Sequence, residues 1–346
     1  MATKLEQSWY KDDWLSKLLT PLAALFGAVA RQRRRSHQHQ ARQRPLPVPV
    51  IVVGNISVGG TGKTPLLISL VTALREAGYR PGVISRGYGG RAPSYPYLVS
   101  EQTDPAQGGD EPVLIASQCQ CQVVVDPDRH RAAEYLLTHS DCNLIVSDDG
   151  LQHYHLPRDI EIAVIDGARG FGNGRLLPAG PLREPAERLA EVDFVVSNGE
   201  LQPAVARQLG VVDAVTMKVA PVGQLRHLGD KPPIAARDWP FTRREVNAVA
   251  GIGNPQRFVN TLKGLGFVPH LHAFADHHKY RAEDLQLSPQ RPIIMTAKDA
   301  VKCRSLVSGD ADVWVLDVTA EMPGLWLEQV VARVKQSETR DQTVHK

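Results

Sequence analysis

The stretch S57-V-G-G-T-G-K-T-P65 follows directly on an apolar run, P47-V-P-V-I-V-V-G-N-I-S57. In the pattern G-x-x-x-x-G-K-[ST], backbone N–H groups wrap nucleotide phosphates, a lysine reaches the terminal ones and a hydroxyl holds Mg²⁺. Gly62, Lys63 and Thr64 match it, whereas Ser57 stands at the first glycine position. The context supplies what that position lacks. A β-branched run, Val50 to Val53, enters the loop, and an amphipathic helix with Leu66, Leu67, Leu70 and Leu74 leaves it. An ordinary glycine-rich strand-to-helix turn would give no reason for Lys63 and Thr64 at those offsets. Ser57, Val58, Gly59, Gly60, Thr61, Gly62, Lys63 and Thr64 are therefore the predicted nucleotide loop.

Strand-like and helical runs alternate outward from this loop, from 47 to about 200, as in R80-PGVIS85, Q122-VVVD126, N143-LIVSDD149, I160-EIAVID166 and D193-FVVSNG199. That alternation predicts a P-loop NTPase-like α/β fold, a mainly parallel sheet with helices on both faces. Around 213 to 240 the texture turns to a β-ribbon and a proline-rich segment (Pro232, Pro233, Pro240), after which a second alternating series begins. The expected division is an N-terminal helix and basic segment (1–45), a nucleotide core (46–222), a β-ribbon linker (223–243), a smaller α/β domain (244–336) with its last helix at about 324–335, and a polar, disordered tail (337–346). Cys119, Cys121, Cys142 and Cys303 include no C-x-x-C pair and read as reduced thiols.

The 346 residues carry a net charge of +3, yet residues 1–45 hold nine Lys/Arg against three Asp/Glu, which leaves the remainder at −3. The basic excess is local. Trp14, Leu15, Leu18, Leu19, Leu22, Leu25, Phe26 and Val29 recur at helical spacing, followed by Arg31, Arg33, Arg34, Arg35, Arg42 and Arg44. Thirteen uncharged residues separate Lys17 from Arg31, about 20 Å of helix against a hydrocarbon core of about 30 Å. The segment is too short to span a bilayer, and its acids Glu6, Asp12 and Asp13 do not suit a signal peptide. An interfacial helix on an anionic membrane surface fits better than a helix docked on the protein's own core.

A P-loop core needs a second acidic site at a neighbouring strand end. N143-L-I-V-S-D-D-G150 supplies Asp148 and Asp149, which with Thr64 form the predicted Mg²⁺ set. A plain Asp-Gly turn is the alternative reading. Beyond them lie Gln152, His153 and the shaped loop G172-NGRLLPAGPLREP185, with Arg183 and Glu184; these four are the candidates for substrate contact. G108-GDEP112 places Asp110 and Glu111 at the start of a helix, where an acid also serves as a cap. F274-ADHHKY280 ends a strand in the smaller unit. A zinc site from His277 and His278 with His270 and His272 lacks any familiar spacing.

Taken in order, S57-VGGTGKTP65, S85-RGYGG90, G109-DEP112, D148-DGLQH153 with L156-PRD159, G172-NGRLLPAGPLREP185, G251-IGNPQRF258, F274-ADHH278 and T296-AKDAVK302 resemble the tetraacyldisaccharide 4'-kinase family of lipid A synthesis, over about residues 10 to 335. Ala297 stands where the pattern T-E-K-D has glutamate, whereas Ser57 is ordinary for the family. The resemblance implies transfer of the γ-phosphoryl of ATP, with Mg²⁺, to the 4'-hydroxyl of an acylated glucosamine disaccharide 1-phosphate. It further implies a peripheral enzyme at the cytoplasmic face of the bacterial inner membrane; a monomer is expected. It places the proton acceptor at Asp110, which His277 could orient from the second unit, so that Lys63, Asp149, Asp110 and His277 form the expected catalytic set. A P-loop ATPase driving a switch or transport is the competing reading. Nucleic-acid binding through the arginine cluster finds neither interleaved aromatics nor an accompanying motif.

Overall fold

The computed structural model describes residues 4–11, 13–229, 231–241, 243–288 and 290–344. The strands are β1 (Val50–Gly54), β2 (Pro81–Ser85), β3 (Tyr97–Val99), β4 (Val123–Val125), β5 (Leu144–Asp148), β6 (Ile160–Asp166), β7 (Phe194–Asn198), β8 (Val215–His227), β9 (Ile234–Ala235), β10 (Glu245–Ala250), β11 (Val268–Ala273), β12 (Ile293–Thr296) and β13 (Val313–Glu321). The helices are α1 (Lys4–Ser8), α2 (Trp14–Leu18), α3 (Thr20–Arg42), α4 (Lys63–Glu76), α5 (Pro105–Gly108), α6 (Asp110–Cys119), α7 (Arg129–His139), α8 (Pro203–Leu209), α9 (Pro255–Gly264), α10 (Ala297–Cys303) and α11 (Gly324–Val344).

β1 sits at the centre because every one of its residues is apolar or glycine and all are buried. Its alternate side chains serve two faces. Ile51 and Val53 meet Leu66, Leu67, Leu70 and Leu74 of α4, while Val50 and Val52 meet Ala132, Ala133 and Leu136 of α7. β1 pairs in parallel with β5 and β6, with Val53 opposite Asp148. This register brings the loop after β1 and the carboxylates after β5 to the same sheet edge. Ligands of open parallel sheets bind at that edge.

The sheet order is β11-β10-β12-β13-β8-β7-β6-β1-β5-β2-β4-β3, one continuous sheet. β8 joins its halves, running parallel to β7 over Val215–Met217 and antiparallel to β13 along most of its length. The expected β-ribbon exists as the pairing of β8 with β9, but a boundary at 222/223 falls inside β8. Thirteen residues in one extended run outreach either neighbour, so the strand belongs to both units. The smaller unit has its own two-faced core, with α9 on one side and α10 on the other, and Leu114 of α6 enters the α10 side.

The chain end departs from expectation. Residues 337–344, expected to be disordered, continue α11 to Val344; residues 345 and 346 lie outside the described residues. The segment contains no Gly or Pro, so nothing in it stops a helix that has started. Trp326, Val330 and Val334 anchor that helix against the α4 side of the core. The four cysteines are free thiols.

The N-terminal segment forms α1, α2 and α3, and α3 continues through the arginine cluster to Arg42. Its small face is inward: Ala23 and Gly27 are buried, and a Cβ on Gly27 would come within 2.6 Å of Leu176 Cδ1. Trp9 Nε1 donates to Pro178 O (3.0 Å), Arg175 to Thr20 Oγ1 (2.6 Å) and Asn173 to Ser16 Oγ (3.2 Å). The large apolar stripe Trp14, Leu18, Leu22, Leu25 and Val29 is left facing out, with Trp14 72% and Leu25 62% exposed. Among the described residues no helix is long and apolar enough to cross a membrane.

Candidate active site

The loop is held open by side chains the motif does not contain. Gly62 caps α4 with φ +93°, and a Cβ there would lie 2.4 Å from Asn198 Nδ2. Only glycine combines that backbone with that approach. Asn198, at the end of β7, donates to Thr61 O (3.0 Å), Asn55 to Thr61 Oγ1 (3.3 Å) and Arg169 to Gly60 O (2.6 Å). Val58 N–H is committed to Pro181 O (2.8 Å), and Ser57 pairs with Leu182. The first-turn amides of α4, including those of Lys63 and Thr64, lack intrahelical acceptors and point at the loop's concavity. Gly253, in the second unit, stands over Gly60: its Cβ would approach Gly60 N at 3.7 Å.

Asp148 and Asp149 end β5 with opposite electrostatics. Asp148 is 2% exposed, receives Ser85 Oγ at 3.1 Å on Oδ2 and leaves Oδ1 without a partner. Burial, then the nearby charges of Glu111 and Asp149, pushes its carboxyl up to about 7. Asp149 is also penalised by burial, but Lys63 at 3.4 Å and Arg183 at 3.2 Å outweigh that and hold it down at about 2. Asp149 adopts φ +45°, a strained backbone that aspartate tolerates better than most residues. Arg129 Nη2 donates to the carbonyls of both residues (3.1 and 3.3 Å) and fixes the turn from behind.

Of the predicted substrate contacts, Arg183 reaches the site, donating to both oxygens of Asp149 and to Asn55 Oδ1. Gln152 donates to Glu184 Oε1 (2.6 Å) and Asn55 O (2.9 Å). Glu184 is buried and is shared by Gln152, Tyr154 and Arg188. Burial, then Arg129, lowers the His153 pKa to about 3, so its ring is neutral at pH 7.

Asp110 is the first residue of α6, which packs beside α4, and is buried. His277 Nδ1 meets its Oδ2 at 3.0 Å and Oδ1 at 3.2 Å, across a sequence separation of 167. Burial raises the Asp110 pKa, but the His277 hydrogen bond and the charges of Lys298, His277 and Lys302 prevail and hold it below 3.8. The same bond raises the pKa of His277 above 6.5. His277 has φ +58°, and its ring lies edge-on to Tyr88 of the S85-RGYGG90 loop at 5.3 Å. The neighbouring His278 turns away to Asp284 (3.0 Å) and His272 to Asn247 (3.1 Å), so the histidines do not converge.

Asn55, Arg129, Arg169 and Asn198 escaped the sequence reading because none belongs to the loop motif. Position at the carboxyl ends of β1 and β7 was the available signal for the two asparagines.

The chain is similar to proteins of one family. A family profile described as LpxK, tetraacyldisaccharide-1-P 4'-kinase, matches residues 15–335. A tetraacyldisaccharide 4'-kinase of Azotobacter vinelandii is 46% identical over 96% of this chain and 98% of its own. One of Alkalilimnicola ehrlichii is 51% identical over 89% of each. A crystal structure of LpxK from Aquifex aeolicus in complex with ATP superposes with a TM-score of 0.74 at 28% identity, covering 92% of this chain and 99% of that one. With the matched region running from α2 into α11, the chain belongs to the tetraacyldisaccharide-1-P 4'-kinase family.

Proposed function

We propose that the chain transfers the γ-phosphoryl of ATP to the 4'-hydroxyl of an acylated glucosamine disaccharide 1-phosphate. The observation that carries this reading is a buried, histidine-bonded carboxylate, Asp110, at the start of α6, the helix packed beside α4 of the phosphate loop. A switch ATPase needs the loop but has no use for a proton acceptor beside it.

The loop amides and Lys63 bind the phosphates, Lys63 exchanging Asp149 for the β- and γ-oxygens. The 4'-oxygen attacks the γ-phosphorus in line, its proton passes to Asp110, and ADP departs. His277 orients the Asp110 carboxylate and keeps it ionised. Arg183 faces the acidic turn and offers the substrate a cation, while Gln152 and Glu184 shape the wall beneath it. His153 stays neutral behind them.

Thr64, Asp148 and Asp149 fit a magnesium ion: Oδ1 of Asp148 is a buried acceptor without a hydrogen-bond partner. Phosphate oxygens and water would complete the coordination of an ion held by these few protein ligands. When bound, the ion neutralises charge developing on the transferring phosphoryl.

The exposed stripe of α2 and α3, with Arg31, Arg33 and Arg35 exposed beyond it, supports a peripheral position on an anionic membrane at the cytoplasmic face of the inner membrane. An acylated substrate resists leaving the bilayer, at about 0.8 kcal/mol per buried CH₂. The smaller unit, from about 244, closes on the nucleotide core as a monomer.

Labelled ATP supplied with the lipid acceptor should place label in a glycolipid; label found only in free phosphate would favour the ATPase. Asp110→Ala and His277→Ala should each lower kcat at least about tenfold with little change in ATP affinity, and the double variant should lose less than the product of the two. Fully multiplicative losses would show that the two residues act independently.

A further inference from the structure

The Asp110–His277 contact links the start of α6 to the turn after β11, and its geometry depends on what holds that turn. His277 sits in the left-handed region, which an isolated non-glycine residue leaves readily. Its backbone N–H is held by Asp276 Oδ1 at 3.1 Å. The same Asp276 oxygen accepts from Lys298 Nζ at 3.1 Å, and Lys298 also donates to Glu111 Oε1 at 2.9 Å. Glu111 follows Asp110 on α6, and Lys298 Nζ itself lies 4.0 Å from Asp110 Oδ2.

We infer that Lys298 is a positioning residue for phosphoryl transfer, closing a ring of contacts through Asp276, His277, Asp110 and Glu111 that keeps the imidazole on the carboxylate. The inference rests on the assignment of Asp110 and His277 made above. Lys298 is suited to the task by its place as the second residue of α10, next to the Thr296 cap that anchors the helix start. Its side chain is largely buried, so water competes poorly for the ammonium. Three carboxylates, two from the nucleotide core and one from the smaller unit, surround it; these raise its pKa despite burial and keep it charged. Lys302, one turn on, is a different case: at 3.9 Å from Asp110, it is paired with Asp299 of its own helix at 3.1 Å and does not touch Asp276. Among the described residues, Lys298 is the lysine whose ammonium bonds both the His277 turn, at Asp276, and the start of α6, at Glu111.

The test is steady-state kinetics of the full chain with Lys298→Met, Lys298→Gln and Lys298→Arg, each alone and with His277→Ala. Lys298→Met and Lys298→Gln should lower kcat by about tenfold or more with KM for ATP changed less than about threefold, and Lys298→Arg should recover most of the loss. In the His277→Ala background, removing Lys298 should cost less than about threefold, because the ring is already broken. A merely structural lysine would give the same loss in both backgrounds, and that result overturns the inference. So does a loss carried by KM for ATP, or an arginine variant no better than glutamine. If the methionine variant does not fold, the glutamine and arginine variants give the same comparison. A His277→Ala variant with full kcat overturns the reading of the Asp110 pair itself, and the inference with it; a strong His277→Ala loss beside an active Lys298→Gln overturns the inference alone.

Discussion

Helices α3 and α4 both carry leucine-rich stripes at helical spacing, and the fold uses them in opposite ways. α4 buries Leu66, Leu67, Leu70, Val71 and Leu74 against β1 and its neighbours. α3 packs through Ala23 and Gly27 and turns Leu22, Leu25 and Val29 outward. An apolar stripe therefore does not by itself say which side of a helix docks on the core. Small residues opposite the stripe, which permit close helix approach, are the better sign of the docked side.

The largest effect that tests this contrast lies at the start of α4. Replacing Lys63 with Ala should lower kcat by about 10²-fold or more while the melting temperature changes little, since the ammonium serves developing charge and not the core. A folded Lys63→Ala variant with near-normal turnover would break the assignment of α4 as the phosphate helix.

Next in size is packing. Leu70→Ala removes a fully buried side chain and should destabilise by about 2–5 kcal/mol in denaturant titrations. Leu25→Glu on α3 should change stability by no more than about 0.5 kcal/mol yet weaken sedimentation with anionic vesicles, and added salt should weaken the parent's binding by screening its arginines. Should Leu25→Glu destabilise as Leu70→Ala does, the two helices do the same job and the membrane reading fails.

The smallest effect concerns how α3 is tied down. Arg34 pairs with Glu191, and that hydrogen bond holds the Glu191 carboxyl below its ordinary 4.5. A depressed folded pKa contributes stability that is present above 4.5 and lost as pH falls through the lower folded value. Because the pair is partly exposed, the contribution is at most about 1 kcal/mol. Stability measured from pH 6 to 3 should therefore fall slightly more steeply in the parent than in Glu191→Gln; parallel curves would show that the pair does not fasten the helix.

The sequence was most legible where chemistry is local. The nucleotide loop, the paired aspartates and the alternating series all lie within short windows, and the structure sets the loop and the aspartates side by side through the β1–β5 register. It was least legible where one segment serves two neighbours. β8 reads as the start of a linker because its inward and outward residues answer to β7 at one end and β13 along the rest. The chain end reads as disordered because it is almost wholly polar, while the anchor, Trp326 with Val330 and Val334, precedes it.

Residue types and spacings determined by themselves that this chain binds a nucleotide on a parallel sheet, where its carboxylates end their strand and that its first segment is too short to cross a bilayer. Tertiary structure alone decided which side of α3 docks, which of two adjacent aspartates keeps a buried oxygen without a hydrogen-bond partner, and that Lys298 joins Asp276 to a helix start 187 residues away. The physical reason is range. Periodicity and caps act within a few residues, whereas burial and electrostatics depend on every group folding brings near, whatever its distance along the chain.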